Sequence, residues 1–152
     1  MGARDGPLVT GVPARLNVVV LGVRDIDTMR GFYESLGWRP RPRRGAFSRM
    51  DLAGASLMLF PLDVLLEVVG LPLSENGFRG TVNAIVAEDD DMARSILSAA
   101  VAAGGTRLSE LTQRNWGVRT GYFADPERNV WEVAVLPGAS FDDSGALIWP
   151  TQ

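Results

Sequence analysis

Residues 121–134 read GYFADPERNVWEVA. Asp125 and Pro126 are turn initiators, and Asn129 is a residue that tolerates a left-handed backbone. The stretch therefore predicts two strands, 118–125 and 129–136, joined by the turn DPERN. Inside the second strand stands one carboxylate, Glu132, between Trp131 and Val133. A carboxylate among apolar neighbours is costly to bury without a partner. What Glu132 meets is therefore the question on which the chemistry of the chain turns.

Working outward, the segments before this unit repeat a common order. TVNAIVAE (81–88) reads as a strand, and DDDMARSILSAAVAAGG (89–105) as a helix with Ala93, Ile96, Leu97 and Ala100 on one face. The aspartates suit the positive end of the helix dipole, and Gly104-Gly105 end the helix. TRLSEL (106–111) is a further strand. Nearer the start, RLNVVVLGV (15–23) is a buried strand. Asp25 or Asp27 caps a helix on which Met29, Phe32, Tyr33 and Leu36 share a face, with Gly37 at its end. AFSRMDL (46–52) and SLMLFPL (56–62) form two strands around Ala53-Gly54-Ala55, followed by a short helix over 63–70. The order is β-α-β-β, then β-α-β-β-β, which is the signature of a duplicated module. The expected divisions are a loose arm over 1–14, a first module over 15–70, a turn-rich linker over 71–80, a second module over 81–137 and a tail over 138–152. Each module of about 60 residues is too small to bury a good core alone, so the two share one structural domain.

Composition narrows the chemistry further. The 152 residues are 46% hydrophobic and 22% charged, with a net charge of −3. An acidic balance argues against nucleic-acid binding, which needs a basic surface to displace counterions. The one basic run, RPRPRR (39–44), is a solvated loop whose prolines forbid a helix. Histidine and cysteine are absent and all 15 cations are arginine. Thiol catalysis, Schiff-base lysines, thiolate metal sites and imidazole bases are excluded with them. No apolar run reaches the roughly 20 residues needed to cross a bilayer. The start MGARDGPLVTGVPARL lacks the apolar core of a secretory leader. Together these predict a cytoplasmic protein with no membrane partner.

VVVLGVRDIDTMRGFYESLGW (18–38), taken with WGVRTGYFADPERNVWEVAVLP (116–137), resembles the vicinal oxygen chelate superfamily. That group includes glyoxalase I, extradiol dioxygenases, fosfomycin-resistance transferases and bleomycin-resistance binding proteins. The resemblance covers roughly residues 15–137. It implies an α+β fold in which two βαβββ modules pair their curved sheets around a cleft, and it implies a homodimer. In metal-dependent members each module supplies one ligand from its first strand and one from its last. Carried onto this chain, those positions are Val18, Met58, Thr81 and Glu132. Only Glu132 offers a strong oxygen donor, whereas divalent sites take three or more protein ligands. The resemblance therefore implies no metal and no other cofactor.

Strand alternation places Asn83 with Thr81, and Ser56 with Met58. The expected pocket is thus mainly apolar with polar points at Thr81, Asn83, Ser56 and Glu132, which suits a small molecule. Trp116, Tyr122 and Arg119 are expected near its mouth. Glu132 has three roles open to it: pairing with Arg119 or Arg49, accepting hydrogen bonds from a ligand, or acting as acid or base. As the best catalytic candidate, it leaves open a metal-independent lyase or isomerase beside a binding protein. A third reading is an accessory protein with a vestigial cleft.

Overall fold

The computed structural model describes residues 16, 18–43, 45–69, 72–74, 78, 81–115 and 117–150. The arm expected over 1–14, most of the linker over 71–80, and Trp116 lie outside the described residues. In the first half, β1 (Val18–Val23), α1 (Ile26–Ser35), β2 (Ser48–Asp51), β3 (Ser56–Pro61) and α2 (Leu62–Val69) follow in order. In the second half come β4 (Asn83–Val86), α3 (Asp90–Ala102), β5 (Thr106–Gln113), β6 (Arg119–Ala124) and β7 (Val130–Val135). A hairpin of β8 (Ser140–Phe141) and β9 (Leu147–Ile148) closes the chain. The molecule is an α+β fold of two related modules.

Both long helices begin at an aspartate whose carboxylate accepts a first-turn amide. Asp25 takes Thr28 N at 2.9 Å and Asp89 takes Met92 N at 2.8 Å. Gly37 and Gly104 follow the two helices at positive φ, 92° and 109°. In each module the first strand lies parallel to the last. The orders are β1-β3-β2 and β4-β7-β6-β5.

Among the described residues, the first sheet has no counterpart of the outer strand that β5 supplies in the second. There the described residues of 38–46 meet the β2 backbone through a bridge from Pro40 to Met50 and a bond from Arg41 N to the Arg49 carbonyl, 2.8 Å. Pro40 and Pro42 have no N–H to donate, so a ladder cannot continue there.

α1 lies on one face of the first sheet, where Leu21, Val23, Leu57 and Leu59 are buried with Met29, Phe32 and Tyr33. It also reaches the second sheet, because Tyr33 packs against Trp131 with ring centroids 6.0 Å apart. α3 covers the corresponding face of the second sheet through Ala93, Leu97 and Ala100. The core is therefore continuous across both modules.

The turn DPERN ties the halves together by hydrogen bonds. Tyr33 Oη donates to Asp125 Oδ2 at 2.6 Å, and Trp131 Nε1 donates to Tyr33 Oη at 3.1 Å. The amides of Arg24 and Asp25 donate to the Glu127 carboxylate. The left-handed residue of this turn is Arg128, φ 68°, rather than Asn129. Asn129 instead donates both its amide and its side-chain nitrogen to Asp125. The tail folds back in cis: a Cβ built on Gly145, in the β8–β9 turn, would lie 3.6 Å from Ala53 Cβ in the β2–β3 turn. No helix among the described residues is long and apolar enough to cross a membrane.

Candidate functional site

Each sheet has a face turned away from α1 or α3. On the first sheet, register places Val18 beside Ser56, Val20 beside Met58 and Gly22 beside Phe60. Residues directly paired across strands share a face. Val18 and Val20 are 42% and 44% exposed, whereas Leu21 and Val23 on the other face are buried. Arg49 and Asp51 join the open face from β2, opposite Met58 and Ser56. The Asp51 carboxylate is held below its ordinary range by a hydrogen bond from Arg41 and by the nearby Arg49 charge. Ser56 Oγ also donates to it, at 3.2 Å.

On the second sheet the open face carries Glu132. Its partner is Tyr122, directly opposite in the β6–β7 ladder, whose Oη donates to Glu132 Oε2 at 2.5 Å. That bond, together with partial burial, pushes the Tyr122 phenol above its ordinary pKa. The guanidinium of Arg114 lies 5.9 Å from the centre of the Tyr122 ring and donates through Nε to Thr120 Oγ1 at 2.8 Å. The resulting patch, Glu132–Tyr122–Arg114–Thr120, holds one anion, one phenol proton and one cation over an apolar floor of Ala84 and Ala134.

Several expected site residues fall elsewhere. Thr81 precedes β4 and is exposed outside any strand. Asn83 pairs with Trp131, so it lies on the α3 side of the sheet, and Ala84 is the residue beside Glu132. Arg119 pairs with Val135 on that same α3 side, and its Nε meets Asp90 Oδ1 at 2.6 Å. Arg49 is engaged with Asp51 at 3.0 Å, so neither arginine pairs with Glu132. Val18, Ser56, Met58, Tyr122 and Glu132 do sit on open faces.

The displacement of Asn83 comes from the helix cap. Asp89, not Glu88, is the residue equivalent to Asp25, which makes Ala87 the counterpart of Val23 and Val82 the counterpart of Val18. In the last strands, Gly54 and Arg128 both take positive φ, and Met58 and Glu132 each follow them by the same interval. The four equivalent positions are Val18, Met58, Val82 and Glu132. Two valines, a thioether and one carboxylate do not fit a divalent ion. Among the described residues no group of three His, Cys, Asp or Glu converges to hold one.

A model of the Glyoxalase/Bleomycin resistance protein/Dioxygenase superfamily matches residues 15–133. No curated protein sequence matches the chain. Among solved structures, it is similar to a glyoxalase-related enzyme from Fulvimarina pelagi. The two are 26% identical, the match covers 91% of this chain and 99% of that one, and the TM-score is 0.80. A glyoxalase/bleomycin resistance protein/dioxygenase from Nocardioides is 24% identical over 86% of this chain and 89% of its own, with TM-score 0.68. A lactoylglutathione lyase from Agrobacterium tumefaciens is 18% identical over 82% and 95%, with TM-score 0.62. The last two likenesses are likenesses of fold.

Proposed function

Since the chain belongs to the Glyoxalase/Bleomycin resistance protein/Dioxygenase superfamily, we propose that it is a metal-free binding protein. The open sheet faces hold a small, partly apolar molecule, an antibiotic or a metabolite. The observation that carries this reading is the state of Glu132. It is the lone oxygen donor of the four equivalent positions, and its carboxylate accepts from the Tyr122 phenol. A carboxylate accepting one hydrogen bond keeps acceptor capacity for a ligand hydroxyl, amide or ammonium group. Ala84 and Ala134 beside it, and Val18, Val20 and Met58 on the open face of the first sheet, supply the apolar area.

The competing reading is a metal-independent lyase or isomerase. Its requirement is a base poised near neutral pH. Tyr122 is a poor candidate, because its bond to Glu132 holds the proton on the phenol. The two readings separate on Glu132→Gln, tested against a ligand found by thermal-shift screening of antibiotics and metabolites. Under the binding reading the ligand is recovered unchanged and Glu132→Gln weakens a donor-bearing ligand about tenfold, the value of one charge-assisted hydrogen bond. Loss of turnover with binding intact would establish the enzyme. Stoichiometric metal in the purified protein would overturn the metal-free reading.

A second copy of the chain completes the assembly in this proposal. β1 is an edge strand of six residues with no charge and no proline, and edge strands of that kind are normally covered. Light scattering at micromolar concentration is expected to give twice the 16.4 kDa chain mass. Replacing the outward Val20 with lysine is expected to shift that mass toward the monomer.

A further inference from the structure

Gly22 stands on the open face of the first sheet, in line with Val18 and Val20 and paired with Phe60. A Cβ built on it would lie 2.8 Å from Leu65 Cδ2 and 2.9 Å from Leu62 Cδ1. Both distances are shorter than real contacts allow, so the leucines of α2 rest directly on the backbone of β1. α2 therefore occupies the face opposite α1, seated on β1 at the one residue of that strand without a side chain. β1 and β3 are the strands beneath it. Beyond it a cavity of about 460 Å³ opens between the end of β1 and α2, lined by Val23, Arg24, Leu62, Asp63, Leu66 and Leu73.

We infer that α2 is the end wall of the ligand site, and that Leu62 and Leu65 limit the length of the molecule the first sheet accepts. This rests on the cleft reading above. A strand advances about 3.3 Å per residue, so Val18 and Gly22 are roughly 13 Å apart. The leucines cover the Gly22 end, which leaves a floor of Val18, Val20, Ser56 and Met58 spanning under 10 Å or so. That floor suits one ring or a short branched chain, not an extended polyketide, peptide or long acyl chain. The ligand class is a compact molecule with one apolar end and a hydrogen-bond donor directed to Glu132.

The test uses phenol and 4-n-alkylphenols from methyl to octyl, titrated into the whole protein by calorimetry. Each methylene that finds cover should tighten binding about fourfold. For the native chain this gain is expected to stop at a propyl or butyl tail and then reverse. In Leu65→Ala, and separately in Leu62→Ala, the reversal is expected two or more methylenes later. In Gly22→Ala the new methyl displaces the helix, and amides of residues 62–69 should exchange hydrogen faster. Affinity that climbs steadily with length in the native chain, or the same cutoff in native and both leucine variants, would overturn α2 as the wall. Unchanged exchange in Gly22→Ala would overturn the contact itself. Failure of every phenol to bind the native chain is a distinct outcome, which removes the cleft reading and this inference with it.

Discussion

Asp125→Ala is expected to cost about 3–4 kcal/mol in urea unfolding, or roughly 10 °C in Tm. Asp125 is 2% exposed and its carboxylate accepts from Tyr33 Oη, Glu127 N, Asn129 N and Asn129 Nδ2. Alanine leaves the buried Tyr33 hydroxyl and the half-buried donors of Glu127 and Asn129 without their acceptor, and each orphaned buried donor costs about 1–3 kcal/mol. Part of the loss is returned, because the native site holds a carboxylate away from water. Tyr33→Phe removes only one of the bonds and should cost about 1–2 kcal/mol. Because Tyr33 and Asp125 share a bond, the double variant should fall short of the sum. An additive double variant, or a loss below about 1 kcal/mol for Asp125→Ala, would show that the Tyr33–Asp125 bond does little to join the modules.

Acid acts on this latch in a specific sense. Burial first, against the opposing hydrogen bonds, raises the Asp125 pKa above 3.8 in the folded chain. A raised folded-state value means that folding binds a proton between the two pKa values. The contribution of Asp125 is thus fullest below about 3.8 and diminishes as pH rises through its folded value. The latch is not the source of acid unfolding. Asp25, Asp51 and Asp142 have the opposite sign. Local hydrogen bonds lower their pKa values, so their contributions are present near neutrality and fade as pH falls below the ordinary carboxylate range.

Gly105→Ala is expected to destabilise by about 3 kcal/mol. An added Cβ would sit 2.7 Å from the Ala124 carbonyl oxygen, 2.9 Å from the Ala100 carbonyl oxygen and 3.2 Å from Phe32 Cε2. Two of these are backbone atoms from different elements. Ala100 O already accepts the Gly105 amide at 2.8 Å, so neither can yield without opening the end of α3 or the end of β6. The control is Gly31→Ala in the exposed part of α1, where a Cβ would meet nothing within 4 Å. There the change should stabilise by about 0.5–1 kcal/mol, since alanine loses less backbone freedom in a helix. Equal effects at the two glycines in a urea titration would refute the packing account.

The parts of the fold readable from sequence are those set by local chemistry. Met29, Phe32 and Tyr33 recur at helical spacing and all three are buried. The turn DPERN lies where its residue types place it, and it also fixed a contact that composition did not suggest. A hairpin centred on Glu127 sets Tyr122, five residues before, opposite Glu132, five after. Charge alone pointed to Arg119 or Arg49 as the partner of Glu132; the strand register places a tyrosine there instead. The register of β4 was harder to read, because residues 88–91 offer four acidic candidates for one helix cap. Thr81 and Asn83 are the inward residues if the cap is Glu88; with the cap at Asp89 the register moves by one, and Ala84 stands beside Glu132. The seat of α2 was not readable at all. Its leucines say that it packs, but only the three-dimensional position of Gly22 says against what.

The arm over 40–43 bears on how copies of the chain meet in concentrated solution. A β-sheet that is open at both margins can add copies without end, and that is how fibres grow. In the first sheet the arm occupies one margin with two prolines that cannot donate to a ladder, while among the described residues no strand pairs with β1 on its other margin. Under the dimer proposal this sheet would give the chain a valence of one: the first copy to dock would take the β1 margin, and growth would terminate there.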